Sequence, residues 1–384
     1  MRFEFATATR IIFGQGAIKE LAPSAKLFGT RALIVEGESG QRVAGSIDQL
    51  KEAGLDVSEF HVSGEPTVAV VEAGLEQARA EQCNLVVSIG GGSVIDSGKA
   101  IAGLMTNPGR IFDYLEVVGL GKPLTNSSAP FIAIPTTAGT GSEVTRSAVL
   151  TVVDQRVKVS LRSPLILPRL AIVDPELTYS LPPEITAAAG LDALTQLIEP
   201  FLSNASNLIT DAICREGMRR VSQSLQIAYQ RGNDPHARED MALASLFGGI
   251  ALANAKLGAV HGFAGPIGGM FPVPHGAICA RLLPVVLETN LKALQDRAAQ
   301  GSGLERFTEM SRLLTGDQDS RAEDGIRWLH GLCASLKVPP LATYGITESD
   351  FQEIIAEAKK ASSMKGNPIE LMDRELLQIM ELAL

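Results

Sequence analysis

Cysteine is scarce in this chain of 384 residues: Cys83, Cys214, Cys279 and Cys333 lie far apart and form no CxxC pair. That pattern suggests neither a disulfide framework nor a zinc ribbon, and it fits a reducing, cytoplasmic setting. Basic runs are missing as well. The 34 lysines and arginines are outnumbered by 43 acids, giving a formal charge of −9, so neither nucleic acid nor an anionic membrane surface is an expected partner. No long apolar run goes uninterrupted. The most apolar window, residues 247–271, is broken by Asn254, Lys256, His261 and many glycines, which predicts a buried helix followed by a loop and no membrane span. The first residues lack a charged start, an apolar core and a small-residue cleavage site, so no secretion signal is expected and the mature protein is expected to start here.

Hydrophobic residues make up 45% of the chain, enough for a core in each of two domains. In the first half, short apolar runs at 32–36, 85–89, 131–135 and 170–173 alternate with helical patterns such as 46–53 and 68–81. Such runs form strands buried on both faces, so the pattern predicts an α/β domain with a mainly parallel sheet. Residues 145–154 and 156–161 read as a hairpin around Asp154-Gln155. Beyond the Pro182-Pro183 pair the pattern turns helical, over 184–203, 207–231, 235–256, 278–299, 303–316, 320–336 and 348–361. The expected organisation is an α/β domain over 1–181 and an all-helical domain over 182–384, with a hinge near Leu181 to Glu184. Clefts between domains favour ligands.

Two of the five histidines, His261 and His275, stand fourteen residues apart. A turn containing Gly268 and Gly269 would aim both imidazoles into one cavity, where they could ligate a metal or move a proton. Upstream, Asp192 and Gln196 lie four apart in a helical stretch, with Leu191, Leu194, Leu197 and Ile198 available for the buried stripe. A carboxylate there is costly to bury unless something positive meets it. Gly90-Gly91-Gly92-Ser93, with Asp96 three residues on, follows an apolar strand and precedes a helical run from Ser97 to Met105, which suits backbone N–H contact with a phosphate. It is not the GxGxxG pattern. A second loop rich in glycine and hydroxyls, containing Thr136, Thr137, Thr140 and Ser142, also follows a strand. Two such loops at the same ends of neighbouring strands predict a crevice for a polyphosphate and ribose.

The ordered motifs GGGSxxD, PTTAGTGSEVT, GLDALTxxIE and a histidine followed fourteen residues later by that of PHG cover the whole chain. In that order they resemble the iron-containing, or group III, alcohol dehydrogenases. The resemblance implies the dehydroquinate synthase-like fold, an N-terminal dinucleotide-binding domain, a helical C-terminal domain and a homodimer. It also implies hydride transfer between NAD(P) and a small alcohol or aldehyde. By position, Gly90, Gly91, Gly92, Ser93 and Asp96 resemble the pyrophosphate loop. Thr136, Thr137, Thr140 and Ser142 resemble nucleotide contacts, and Lys158 the lysine beside the cofactor ribose. Asp192, His261 and His275 match three of the four ligands of a divalent iron or zinc ion, and the same three are the candidate catalytic residues.

Two positions depart from that pattern. Gln196 stands where the fourth ligand is normally histidine, and Gly265 where a further histidine is frequent. A neutral amide oxygen is a poorer ligand than imidazole, although one carboxylate and two imidazoles still resemble the facial arrangement used for Fe(II). Two mechanisms therefore stay open: a Lewis-acid metal on Asp192, His261 and His275, or metal-free proton transfer by a histidine oriented by Asp192, as in the related maleylacetate reductases. Gln196 and Gly265 also leave room for a nucleotide-binding protein that has lost catalysis. A substrate phosphate, needed by a dehydroquinate synthase or a polyol-phosphate dehydrogenase, would call for a basic cluster, and residues 245–280 offer only Lys256 in that role. Phe263, Met270 and Phe271 are candidates for an apolar substrate pocket. For the cofactor, the family's selecting aspartate aligns with Gly37. Glu36 and Glu38 disfavour a 2′-phosphate, so NAD is expected over NADP. The segment 362–368, ending in Gly366-Asn367-Pro368, resembles the family's closing loop and is expected to be structural.

Overall fold

The computed structural model describes residues 2–37 and 44–384, and Glu38 lies outside the described residues. Two compact units emerge, one of residues 6–137 and 141–179, the other of residues 1–5, 138–140 and 180–384.

The first unit is built on strands β1 (Ile11–Phe13), β2 (Arg31–Gly37), β3 (Asp56–Val62), β4 (Leu85–Gly90), β5 (Phe131–Pro135), β6 (Ser147–Val152), β7 (Val157–Arg162) and β8 (Leu170–Val173). Six of them form a sheet in the order β1-β8-β5-β4-β2-β3, all parallel. Between them run helices α1 (Leu21–Ala25), α2 (Ala44–Glu52), α3 (Val68–Ala80), α4 (Gly92–Thr106) and α5 (Ile111–Tyr114). Because successive strand residues point to opposite faces, each central strand feeds two cores. Leu33, Val35, Val86 and Phe131 pack with Val71, Leu75 and Ile101, while Ala32, Ile34, Val87 and Ile132 pack with Leu21, Ile47 and Leu50. The run of apolar residues in each central strand follows from this two-sided burial. β6 and β7 pair antiparallel through a tight turn, Val153–Gln155, so the expected hairpin is present.

The helical unit holds α6 (Pro183–Leu202), α7 (Leu208–Gln230), α8 (Pro235–Asn254), α9 (Ala259–Met270), α10 (His275–Arg297), α11 (Gly303–Thr315), α12 (Ala322–Ser335), α13 (Phe351–Lys360) and α14 (Asp373–Ala383). α6 is its axis, buried almost throughout from Thr186 to Leu202 against α7, α8 and α10. Among the described residues no single helix is long and apolar enough to cross a membrane, and α8 and α9 meet at a bend of 96°.

Several expectations need correction. The 259–270 stretch is a helix and not a loop, so Gly268 and Gly269 sit in its last turn and the reversal falls at Phe271–Pro274. α10 opens on His275 itself, three residues earlier than expected. α4 begins at Gly92, not Ser97, so Ser93 and Asp96 belong to its first turns and not to a loop. Strands β1 and β3 and helix α14 were not anticipated.

Candidate active site

Parallel strands present their carboxyl ends on one edge of the sheet. β2 connects outward to β3 while β4 connects to β5 on its other side, so the strand order reverses between β2 and β4. Ligands of open α/β sheets bind at such a point. There, β4 ends at Gly90, Gly91 caps α4, and Gly92 and Ser93 form its first turn, with free backbone N–H groups characteristic of a helix start. The second loop is its neighbour: Gly90 is in register with Pro135, and the N–H of Thr136 donates to the carbonyl of Gly90 at 3.0 Å. Thr137 lies against Gly91. Thr140 belongs to the short stretch that groups with the helical unit.

Asp96 faces inward. Its carboxylate accepts from the Ser142 hydroxyl and, at 3.0 Å, from the N–H of Val149, and it lies 3.5 Å from the buried ammonium of Lys99. Lys99 in turn donates to Ser142, Thr145 and the Ser147 carbonyl, so this network braces the second loop and the hairpin on α4. Burial lowers the pKa of Lys99, with Asp96 and Glu143 pulling the other way. Lys158, on β7, has a side chain only 7% exposed and pairs with Glu65 at 3.0 Å. Glu36, at the end of β2, is buried, which raises its pKa, with His61 3.5 Å away opposing that shift.

In the helical unit three helices converge. Asp192, Gln196 and Glu199 recur at i, i+4 and i+7 on α6 and so share one face. His261 stands in the first turn of α9, and His275 and Cys279 stand one turn apart at the start of α10. The Asp192 Oδ1 atom is 3.5 Å from His261 Nε2 and 3.7 Å from His275 Nε2. The two rings are 5.4 Å apart, centre to centre. The thiol of Cys279 is 3.6 Å from His275 Nε2 and 3.9 Å from His261 Nε2. Glu199 supplies the outer support: one oxygen lies 2.6 Å from His261 Nδ1, and the other accepts the N–H of Val260 at 2.7 Å. An ionised carboxylate only accepts, so Nδ1 carries the proton and, in the neutral ring, Nε2 turns its lone pair toward Asp192 and Cys279.

Gln196 is buried with its side chain hydrogen-bonded to Asp192, and its Oε1 has no hydrogen-bond partner among the described residues. The Oδ1 of Asp192 has no hydrogen-bond partner among them either. A buried, unpaired carboxylate oxygen is costly, and its orientation between two imidazole nitrogens fits a divalent cation. Burial opposes the charge of Asp192, but His275 and His261 hold its pKa below the usual carboxylate value. Burial alone would keep His261 neutral, yet the neighbouring acids, Glu199 and Asp192 among them, outweigh it and raise the pKa well above the ordinary value. Burial pushes the Cys279 thiol up to about 12, with His261 opposing. The site as a whole attracts positive charge.

The closing loop is structural in its contacts. Asn367 exchanges amide hydrogen bonds with Asn290 and accepts the N–H of Ala259, anchoring the start of α9 just before His261. Gly265, one turn past His261, faces open space. Phe263 is fully buried in the helical core, while Met270 and Phe271 are partly buried against it.

Glu199 and Cys279 were not among the site residues expected from sequence. Glu199 closes the third motif and shares the heptad face with Asp192. Cys279 escapes a search for paired cysteines, and its i+4 spacing from His275 has meaning only once both are known to lie on one helix.

The chain matches the family model "Iron-containing alcohol dehydrogenase" over residues 8–175 and that of the C-terminal part of the Fe-containing family over residues 186–384. It is 36% identical to alcohol dehydrogenase 4 of Schizosaccharomyces pombe, covering 97% of this chain and 87% of the relative. It is 35% identical to 1,3-propanediol dehydrogenase of Citrobacter freundii, covering 98% and 97%. Among solved structures, a 1,3-propanediol oxidoreductase superposes with a TM-score of 0.93 at 34% identity, with both chains fully covered. Sulfoacetaldehyde reductase from Bifidobacterium kashiwanohense, solved in complex with NAD+, gives 0.88 at 30% identity, covering all of this chain and 99% of that one.

Proposed function

The chain belongs to the iron-containing alcohol dehydrogenase family, and we propose that it interconverts a small alcohol and its aldehyde or ketone using NAD, with a divalent metal at Asp192, His261 and His275. The observation that carries this reading is the buried Asp192 oxygen that lies between two imidazoles with no hydrogen-bond partner among the described residues, in a chain that matches the family over residues 8–175 and 186–384. A bound ion supplies Lewis acidity at the substrate oxygen. The protein's own contributions are specific. Glu199 fixes the His261 ring, Asp192 holds the negative charge, and His275 offers its Nε2 atom 3.7 Å from Asp192 as the third donor. The turn from Gly90 to Ser93 receives the cofactor pyrophosphate, and Thr136 and Thr137 line the neighbouring loop. Ser142 and Asp96 support that loop from within. The acidic Glu36 at the end of β2 disfavours a 2′-phosphate, which supports NAD over NADP. A homodimer is proposed on the family resemblance. A cytoplasmic setting is proposed because all four cysteines are unbridged.

The test is oxidation of NADH by short aldehydes, with metal content measured on the same preparation before and after chelation. Chelator-sensitive turnover by a metal-loaded protein is expected, with His275→Ala reducing kcat about 100-fold or more while NADH fluorescence quenching persists. Quenching without turnover across the aldehyde panel would reduce the chain to a nucleotide-binding protein. Turnover by metal-free protein would assign the chemistry to proton transfer by the histidines, as in the maleylacetate reductases.

A further inference from the structure

Position 196 lacks a histidine, yet the cluster still offers four strong donor atoms. Asp192 Oδ1, the two Nε2 atoms of His261 and His275, and Cys279 Sγ all lie within 4.8 Å of one another. The separations between neighbours are 3.5, 3.6, 3.7 and 3.9 Å. A tetrahedral ion with bonds of about 2.0 Å to oxygen and nitrogen and about 2.3 Å to sulfur sets its donors roughly 3.3–3.6 Å apart, so these four separations need to close by only a few tenths of an ångström. Gln196 is placed differently. Its side chain is already engaged with Asp192, and what remains is a neutral carbonyl oxygen. The Cys279 side chain is fully buried on the same helix as His275, one turn further on, with both imidazoles as neighbours.

The geometry points to Cys279 as the fourth protein ligand of this site, taking the coordination place that Gln196 leaves, so that the ion is held by Asp192, His261, His275 and the Cys279 thiolate. The proposal rests on the metal reading above and makes it specific to this chain. As the metal–sulfur bond forms, the thiol proton is released to solvent. Gln196 becomes the positioning residue for Asp192. A thiolate is a soft donor, so replacing an imidazole with sulfur shifts preference toward zinc and away from Fe(II).

Cobalt(II) substitution tests this without recourse to turnover. Metal-stripped full-length protein titrated with Co(II) should develop an intense sulfur-to-cobalt charge-transfer band in the near ultraviolet, together with the strong visible bands of tetrahedral cobalt. In Cys279→Ser and Cys279→Ala the charge-transfer band should vanish and the affinity for Co(II) and Zn(II) should fall about 10–100-fold or more. In Gln196→Ala the band should remain. Stoichiometric Co(II) bound by the unmodified protein without a charge-transfer band would overturn the Cys279 assignment and leave the metal site standing. A band that persists in both Cys279 variants would overturn it too, by tracing the sulfur to another cysteine. No Co(II) binding at all would overturn the metal reading and this proposal together. Should one variant fail to fold, the other traces the sulfur, and a missing band in the unmodified protein overturns the assignment without either.

Discussion

Glu143 is fully buried, and burial raises its pKa from an ordinary 4.5 to about 7, against the opposing pull of Lys99. A group whose pKa is raised on folding adds stability below its unfolded value and loses it as pH climbs through the folded one. Here that loss runs from about pH 4.5 to about pH 7 and amounts to about 3 kcal/mol at full extent. Glu143→Gln mimics the protonated form and escapes the loss. Chemical denaturation at several pH values should show the variant gaining on the unmodified protein by about 2–3 kcal/mol between pH 5 and pH 8. Parallel pH curves would show that the folded protein does not hold this proton. Residues of this kind were hard to read from sequence. Asp192, His261 and His275 stood out because a carboxylate and imidazoles in apolar surroundings need a reason. Glu199 and Cys279 gave no such signal, because a glutamate near a helix end and a lone cysteine in an apolar run are ordinary features. Asp96 sat in a recognisable motif, but nothing in the motif told that its carboxylate turns inward to Ser142 and Val149.

Elements followed the sequence where one force dominated. β2, β4, β5 and β8 are apolar runs buried on both sides, and their bounds fall within a residue of those expected. β3 alternates exposed and partly buried residues at the sheet edge, and β1 has only three residues, so neither rises above its surroundings. α9 is the instructive miss. Its sequence holds four glycines and Pro266, poor helix formers in isolation, yet burial of Val260, Phe263, Ala264 and Ile267 outweighs propensity. The start of α10 is set by a close approach. A Cβ on Gly276 would lie 2.5 Å from the Ala188 carbonyl oxygen on α6, so only glycine lets α10 bring His275 against Asp192. Gly276→Ala should cost about 1–3 kcal/mol through overpacking and weaken metal binding by displacing His275. Gly331→Ala, at an exposed position of α12 with open space around it, should instead gain up to about 1 kcal/mol of helix propensity. Thermal melting and metal titration of the pair provide the check. A Gly276→Ala protein that melts and binds metal like the unmodified one would refute the close-approach argument.

At the scale of the whole molecule, the proposed ligands come from three helices, α6, α9 and α10, and none comes from the parallel sheet. A bound ion therefore ties these helices together by mass action, at about 4 kcal/mol when metal exceeds its dissociation constant a thousandfold. Spread over a unit of this size, that is a melting shift of about 10 °C. The effect should be local. Hydrogen exchange of metal-loaded protein, compared with chelated protein, should show faster exchange around residues 190–200, 259–266 and 275–282 after chelation. The strands β4 and β5, whose backbone bonds depend on sheet pairing and the cores on either face, should exchange at unchanged rates. Asn367 supplies the internal comparison, since it pins the start of α9 through Asn290 and Ala259 whether or not metal is bound. Protection at Ala259 that survives chelation, beside protection lost further along α9, would separate what the fold holds by itself from what the ion adds. Uniform loss across both units would instead mean that the ion supports global folding, and no change anywhere would mean that the three helices are fixed by packing alone.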